Sequence, residues 1–305
     1  MNLGKKKIPL PYFSGIFLMI FLMSESLIYK TSLYLYNLII YLLCFLCLPG
    51  LPMNEITLYK ICLFSLFAFA AIVYFSLLLI PAPYGRHLRK GWGYTVKAKL
   101  GWFIMEFPAF AVIIIFFFTG NRRTSIVAIV FLLIWTVHYF QRTFIFPFMM
   151  KGGDKKFPAV LIVFALGFNT LNGYVNGRYL FYYSPLYRIS WFYDPRFIIG
   201  AILFICGMVI NLHSDHILRG LRKSGKNGYS IPQRGLFRYI SCPNYFGEIL
   251  EWTGWAIATW SVPGLAFAVF TFANLAPRAF TNHRWYLENF SDYPKNRKAL
   301  IPFIK

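Results

Sequence analysis

Long apolar runs alternate with shorter basic or aromatic segments along most of this chain. From Ile61 onward we read seven such runs. The first three have 19 to 25 residues, about enough to cross a hydrocarbon core about 30 Å thick as a helix, and the other four have 12 to 15. The seven runs cover residues 61–80, 101–119, 126–150, 157–171, 198–212, 246–260 and 265–276, with an aromatic loop predicted at 171–197. The pattern predicts an all-α, polytopic membrane protein with a core of seven transmembrane helices.

The first 60 residues form a separate N-terminal extension in this interpretation. A lysine-rich start precedes apolar runs at 12–28 and 33–48. Lysines followed by an apolar run are also typical of a secretory signal sequence. One span, two spans and a cleaved signal therefore stay open, and residues 61–305 are predicted as the main domain.

Composition and charge agree with a membrane protein. The chain has 305 residues, of which 58% are hydrophobic and 13% charged, whereas about 25% of residues are charged in soluble domains. One set of alternate loops, together with the C-terminal tail, holds twenty Lys and Arg, and the other set holds five. The positive-inside rule places the first set in the cytoplasm, in a bacterial inner membrane or an endoplasmic reticulum membrane. Basic loops beside anionic lipid also explain the net charge of +21 without nucleic acid.

Polar residues gather where the run 198–212 meets the following basic segment. Asn211 and Asp215 are four residues apart, which places them on one helix face, and Arg219, Arg222 and Lys223 follow. An amide and a carboxylate can bind a ribose or a nicotinamide amide, and arginine forks bind phosphates. This arrangement indicates a nucleotide cofactor, although any one of these basic residues can also be an ordinary cytoplasmic flank.

Three further polar residues begin the next apolar run. Asn244 is a favourable N-cap residue, so it has a structural interpretation as well as a cofactor-binding one. Glu248 and Glu251 are three residues apart on the predicted helix. They hold a nicotinamide amide, pair with an arginine, or pair with lysines of the tail.

Ionisable residues also interrupt two earlier runs. Glu106 lies in an apolar run just before Pro108, and such residues inside a membrane are functional candidates by default. His138, Tyr139 and Arg142 share one helix face in another run. We interpret them as the wall of a polar cavity.

The tail after residue 277 is too aromatic for a disordered basic tail. Arg278, Asn282, His283 and Tyr286 recur at helical spacing, which predicts a helix packed back over the cofactor. The chain has no GxGxxG, P-loop, HExxH or paired CxxC motif, so we expect neither a Rossmann site nor a metal. A bound nucleotide is expected to be held by helices and loops.

Several long motifs occur in an order that resembles the steroid 5α-reductase family, also called the 3-oxo-5α-steroid 4-dehydrogenases. The resemblance covers residues 61–304. The motifs are PYGRH at 83–87, Glu106 before Pro108, HYFQRTF at 138–144, NxxxD at 211–215, YxIPxxGLF at 229–237, PNYxGExxEW at 243–252 and YPxxRKALIP at 293–302.

The resemblance implies a seven-helix membrane fold that uses NADPH, with a substrate-facing part at about 61–170 and an NADPH-binding part at about 195–305. Glu106 and Tyr139 match the residues that hydrogen-bond the 3-keto oxygen of the substrate. The departures are Gly153, Ser230 and Asn282, where the steroid branch carries Arg, Arg and His. The residues expected at the cofactor are Tyr84, Arg142, Asn211, Asp215, Arg222, Tyr229, Asn244, Glu248, Arg278, Asn282 and Tyr286.

The implied reaction is NADPH-dependent reduction of the C4=C5 double bond of 3-oxo-Δ4-steroids to 5α-dihydrosteroids, with hydride transfer to C5. The steroid, or another lipophilic enone, would enter from the bilayer. A sibling alternative is a trans-2-enoyl-CoA or polyprenal reductase, which substrate profiling separates. Two other classes remain open. A membrane methyltransferase would bind S-adenosylmethionine, and a non-catalytic lipid or sterol transporter would not bind NADPH.

Overall fold

The computed structural model describes residues 54–221 and 229–302, so the predicted hydrophobic segments before residue 54 lie outside the described residues. The described part of the chain contains seven helices of at least 17 residues, numbered here in chain order. They are α1 (Glu55–Leu79), α2 (Ala98–Thr119), α3 (Ile126–Met149), α4 (Ala159–Tyr183), α5 (Pro195–Leu221), α6 (Pro243–Thr259) and α7 (Val262–Asn289).

The prediction of a mostly helical membrane protein is confirmed. Within the described residues, α1 to α5 are long and apolar enough to cross a membrane. Helix α6 has 17 residues, and α7 has 28 but is less apolar. The count of seven spans therefore stays a prediction, as does the division of the chain at residue 60.

Two predicted boundaries are wrong in the same direction. Helix α4 continues through a π-helical turn at Tyr179–Tyr183, so the predicted aromatic loop at 171–197 is half helical. Its asparagines lowered the apparent hydropathy, yet they are buried and hydrogen-bonded. Asn176, for example, accepts from Trp255 Nε1 at 3.1 Å. Likewise, α7 runs without a break through Pro277, so the last apolar run and the tail helix are one element.

A small β-ribbon is the exception to the all-α prediction. Strands β1 (Thr95–Lys97) and β2 (Lys156–Pro158) pair antiparallel, with Val96 opposite Phe157. They directly precede α2 and α4, so the ribbon joins the starts of these two helices. The position of Gly153, one of the departures noted above, lies beside it, where the Gly153 carbonyl accepts from Lys99 N at 2.8 Å.

The main core lies between α3, α6 and α7. Trp135, Trp252 and Trp255 are almost completely buried there, and the Trp252 ring centroid lies 4.2 Å from that of Phe267. Trp135 Nε1 donates to the Ala109 carbonyl at 2.9 Å, which ties α3 to α2. The buried indole therefore has a partner for its only polar group.

Helices α5 and α6 pack with their backbones in contact. Gly200 and Gly207 on α5 face Gly254 and Gly247 on α6. A Cβ atom added at Gly254 would lie 2.6 Å from the Gly200 carbonyl oxygen, and one at Gly247 would lie 2.6 Å from the Gly207 carbonyl oxygen. Small residues at such a seam allow close helix approach in membranes.

We predict that Gly254→Ala destabilises the protein, because its methyl group would force α5 and α6 apart. Overpacking of this kind costs about 1–3 kcal/mol, which corresponds to a Tm lower by about 2–5 °C for a chain of this size. Thermal unfolding in detergent measures it. Gly220→Ala on the same pair of helices is the control, because no atom lies within 4 Å of its added Cβ. Equal melting temperatures for the two variants would contradict the packing argument.

Candidate cofactor and substrate site

A cavity of about 260 Å³ lies where the loop after α1, the ribbon and the ends of α3, α5, α6 and α7 converge. It collects most of the cofactor residues predicted from the sequence. Those that line it are Tyr84, Arg142, Asp215, Tyr229, Asn244, Arg278, Asn282 and Tyr286. Arg222 lies outside the described residues.

Arg142 is the centre of a buried charge network beside this cavity. It lies in a π-helical turn of α3, Gln141–Ile145, a type of turn that is frequent at functional sites. Its Nη1 donates to Asp215 Oδ2 at 3.3 Å and its Nη2 donates to Glu248 Oε2 at 3.2 Å. One guanidinium group therefore joins α3 to both α5 and α6.

Two amides complete the network. Asn211 Nδ2 donates to Glu248 Oε2 at 3.3 Å and to the Asn244 carbonyl at 2.9 Å. Asn244 Nδ2 donates to Asp215 Oδ1 at 3.3 Å. Asn211 and Glu248 do not line the cavity. They hydrogen-bond Asn244 and Arg142, which do line it.

The N-cap interpretation of Asn244 is wrong. Helix α6 begins at Pro243 with Cys242 as N-cap, so Asn244 lies inside the first turn. Its side chain is therefore directed away from a capping position and reaches Asp215 on α5. Proline favours the first position of a helix, and Pro243 takes that position here. The cap is therefore Cys242, the residue before the proline, and not Asn244, the residue after it.

The structure also separates the roles of the two glutamates on α6. Glu248 pairs with Arg142, whereas Glu251 lies with its Oε1 2.7 Å from His138 Nδ1. Both Glu251 and His138 are buried. His138 and Arg142, four residues apart on the predicted polar face of α3, thus pair with Glu251 and Glu248 of α6. The two glutamates are three residues apart.

Arg86 is a cavity residue that our sequence reasoning did not single out. Its guanidinium carbon lies 4.8 Å from the ring centroid of Tyr229, 4.5 Å from that of Trp285 and 4.6 Å from that of Tyr286. Its Nη2 also donates to the Tyr286 hydroxyl at 3.3 Å. The signal was present in the PYGRH motif, but only Tyr84 was taken from it.

Three arginines that line the cavity have a buried nitrogen without a hydrogen-bond partner among the described residues. The atoms are Arg86 Nη1, Arg219 Nη1 and Arg278 Nε. A buried donor without an acceptor costs about 1–3 kcal/mol, so such groups call for an explanation. Arginine donors suit phosphate oxygens especially well. The cavity therefore fits a phosphate-bearing ligand such as the expected NADPH.

The rest of the rim is polar and half-buried. His87 Nε2 lies 3.2 Å from Asn282 Oδ1, and Arg278 Nη1 donates to the Tyr84 hydroxyl at 3.1 Å. Burial, with a smaller contribution from Arg86 and Arg89, lowers the pKa of His87 below its ordinary value. His87 is therefore neutral at pH 7, and the positive charge of the rim comes from its arginines and lysines.

Glu106 and Tyr139, the predicted substrate residues, do not line this cavity. Tyr139 is buried on α3, three residues before Arg142. The Glu106 carboxyl group on α2 lies within electrostatic range of both Tyr139 and Arg142. The two residues therefore lie next to the Arg142 network, on the side of the apolar helices.

Comparison with known proteins identifies the family. A family model described as 3-oxo-5-alpha-steroid 4-dehydrogenase matches residues 155–305. The chain is 42% identical to steroid 5-alpha-reductase DET2 of Gossypium hirsutum over 82% of this chain and 99% of the relative. It is 44% identical to 3-oxo-5-alpha-steroid 4-dehydrogenase 1 of Bos taurus over 78% and 93%, and 46% identical to that of Homo sapiens over 72% and 85%. This chain belongs to the 3-oxo-5-alpha-steroid 4-dehydrogenase family.

The range that the 3-oxo-5-alpha-steroid 4-dehydrogenase family model matches contains only some of the site residues. It contains α5, α6 and α7, and with them Asn211, Asp215 and Glu248. Glu106, Tyr139 and Arg142 precede that range. The contacts of Arg142 with Asp215 and Glu248 join this earlier part of the site to the matched region.

Proposed function

We propose that this protein uses NADPH to reduce the C4=C5 double bond of 3-oxo-Δ4-steroids, giving 5α-dihydrosteroids. The observation that carries the proposal is the cavity lined by Arg86, Arg219 and Arg278, each of which has a buried nitrogen without a hydrogen-bond partner among the described residues. Through Arg142 this cavity adjoins Tyr139, which is buried, and Glu106, which is half-buried. A phosphate-binding cavity on one side and apolar helices on the other suit a charged cofactor and a lipophilic substrate. Relatives named for this activity support the same conclusion.

The residues of the cavity divide by chemistry. Arg86, Arg219 and Arg278 would hold the phosphates, and Arg222 from the undescribed segment would join them, as the resemblance implies. Asp215 and Asn244, which Arg142, Asn211 and Glu248 hold in place, would bind ribose and amide groups. The side chains of Tyr84, Tyr229, Asn282 and Tyr286 would contact the rest of the cofactor. When bound, NADPH supplies the hydride that goes to C5.

Glu106 and Tyr139 would act at the other end of the enone. Negative charge develops on the 3-keto oxygen as C5 is reduced, and hydrogen-bond donors already in place lower the barrier. The Tyr139 hydroxyl is one such donor. Glu106 can donate only in its protonated form, which its apolar surroundings favour. C4 takes its proton from water or from Tyr139, and the apolar helices would accept the steroid from the bilayer.

We further propose that the cavity opens on the cytoplasmic side. Arg86 and Lys155 line the cavity and lie in two of the loops counted as cytoplasmic from their Lys and Arg content. Arg219, which also lines it, lies at the end of α5 next to a third such loop. A cytoplasmic opening gives direct access to cytoplasmic NADPH. The C-terminus would lie on that side too.

The activity itself is the first test. Detergent-purified protein is expected to consume NADPH when given testosterone or progesterone, with a 5α-dihydro product identified by mass and stereochemistry. NADPH binding without turnover would contradict the steroid assignment and favour an enoyl-CoA or polyprenal substrate. Absence of NADPH binding would overturn the whole proposal.

Glu106 offers a sharper test of the mechanism. Glu106→Gln keeps a hydrogen-bond donor and is expected to retain appreciable activity, whereas Glu106→Ala is expected to lose about 100-fold or more in kcat, as for removal of an oxyanion donor. Steady-state kinetics with testosterone measures both. Equal losses in the two variants would show that Glu106 acts as a base instead.

Arg86→Ala is predicted to weaken NADPH binding by about 10- to 100-fold, because a charge-assisted hydrogen bond contributes about 1.5–3 kcal/mol. Quenching of tryptophan fluorescence by NADPH measures the Kd. Arg89→Ala is the matched control, since Arg89 is exposed in the same loop, donates to the Pro81 carbonyl and lies outside the cavity lining. An equal loss in both variants would mean that only the net charge of the loop matters.

A further inference from the structure

Asn169 is a polar residue inside α4 that contacts α2 at Glu106. Its side chain is buried, with 5% exposed. Asn169 Nδ2 donates to the Met105 carbonyl at 2.6 Å and lies 3.5 Å from Glu106 Oε2. One amide nitrogen thus reaches both the backbone just before Glu106 and the carboxyl group of Glu106.

Asn169 contacts α2 in the turn that precedes Pro108. A proline inside a helix lacks an N–H, and its ring pushes against the preceding turn. The carbonyl that loses its helical donor is that of Ile104, four residues before Pro108, and Met105 lies in the same weakened turn, where a side chain can act as an additional donor. In membrane helices, neighbouring helices supply such donors, and here Asn169 does so. The short contact to Met105 fixes the amide, and the longer contact to Glu106 follows from it.

The direction of the second contact determines where a proton can lie. Asn Nδ2 carries two hydrogens and cannot accept a hydrogen bond. When it donates to Glu106 Oε2, that oxygen is the acceptor, and this favours a proton of the neutral carboxyl group on Oε1, because a carbonyl oxygen accepts better than a hydroxyl oxygen. Oε1–H is then the donor that remains for a substrate oxygen.

The other asparagines of α4 do not share this contact. Asn176 Nδ2 donates to Asn172 Oδ1 at 2.9 Å, and Asn176 Oδ1 accepts from Trp255 Nε1. Asn172 and Asn176 are fully buried. They connect α4 to itself and to α6, whereas the side chain of Asn169 contacts α2. Asn172 is therefore a matched control, equally buried on the same helix.

We propose that Asn169 is a positioning residue for Glu106, which orients the carboxyl group and directs its proton to Oε1, facing the substrate. The proposal rests on the proposed function, in which Glu106 donates to the 3-keto oxygen. Asn169 itself is not expected to touch the substrate or the cofactor.

The test compares Asn169→Leu, which removes the amide at similar volume, with Asn172→Leu in the purified full-length protein. Asn169→Leu is expected to lower kcat for testosterone by about 10- to 100-fold, the range expected for a misplaced catalytic group. The KM for testosterone and the Kd for NADPH should stay within about threefold of the parent values, since ground-state binding is unaffected. Asn172→Leu should lower Tm but leave kcat within about threefold by the same reasoning.

Each outcome bears on the proposal. An unchanged kcat in Asn169→Leu, or equal losses of kcat in both leucine variants, would overturn it while the proposed function stands. If the parent protein binds NADPH but reduces no steroid, the proposed function is wrong, and the role proposed for Asn169 is wrong with it. If Asn169→Leu does not bind NADPH and so has not folded, Asn169→Ala replaces it, because alanine cannot overpack the site, and the same kcat loss is expected.

Discussion

The close crossing of α5 and α6 is the constraint on which the site depends. Four glycines let the two backbones touch, and Gly207 and Gly247 lie at the end of that crossing nearest the cavity. A Cβ at Gly247 would lie 2.6 Å from Asn211 N, so the polar residues of α5 begin where the glycine contact ends. Asn211 can reach Glu248, and Asn244 can reach Asp215, only because the helices are this close. Larger residues at the seam would separate the amides from their partners.

The network that results places two carboxylates against one arginine in a mostly apolar bundle. Burying these charges is unfavourable unless each is paired and hydrogen-bonded. Arg142 satisfies this by bridging Asp215 and Glu248, and the amides of Asn211 and Asn244 supply further donors. Arg86, Arg219 and Arg278 on the cavity rim differ, since each has a buried nitrogen without a hydrogen-bond partner in the part of the chain that the structure describes. The charges of Arg142, Asp215 and Glu248 are therefore paired within the protein. The rim arginines, by contrast, suit a bound anion.

The sequence predicted helices better than it predicted their ends, and the reason is visible in α4. Hydropathy counts an asparagine as polar wherever it points, so the buried residues Asn169, Asn172 and Asn176 made a helix look like the start of a loop. Residues four apart, such as Asn211 and Asp215, were correctly grouped because one helix carries both. Arg86 was missed because its partners, Tyr229, Trp285 and Tyr286, lie far away in the sequence. Spacing along one helix can be read without a structure, but partners across the fold cannot.

The π-helical turn at Gln141–Ile145 links the two halves of the site. Tyr139 lies just before this turn and Arg142 lies within it, so a single segment of α3 carries a group proposed to act on the substrate and a group that borders the cofactor cavity. A π-helical turn contains one more residue than an α-helical turn, so the residues after it point to a different side of the helix. The shift lets Arg142 reach α5 and α6 while Tyr139 stays among the aromatic rings of the core. In the proposed reaction cofactor and substrate have to meet, and this turn connects residues proposed to act on each of them.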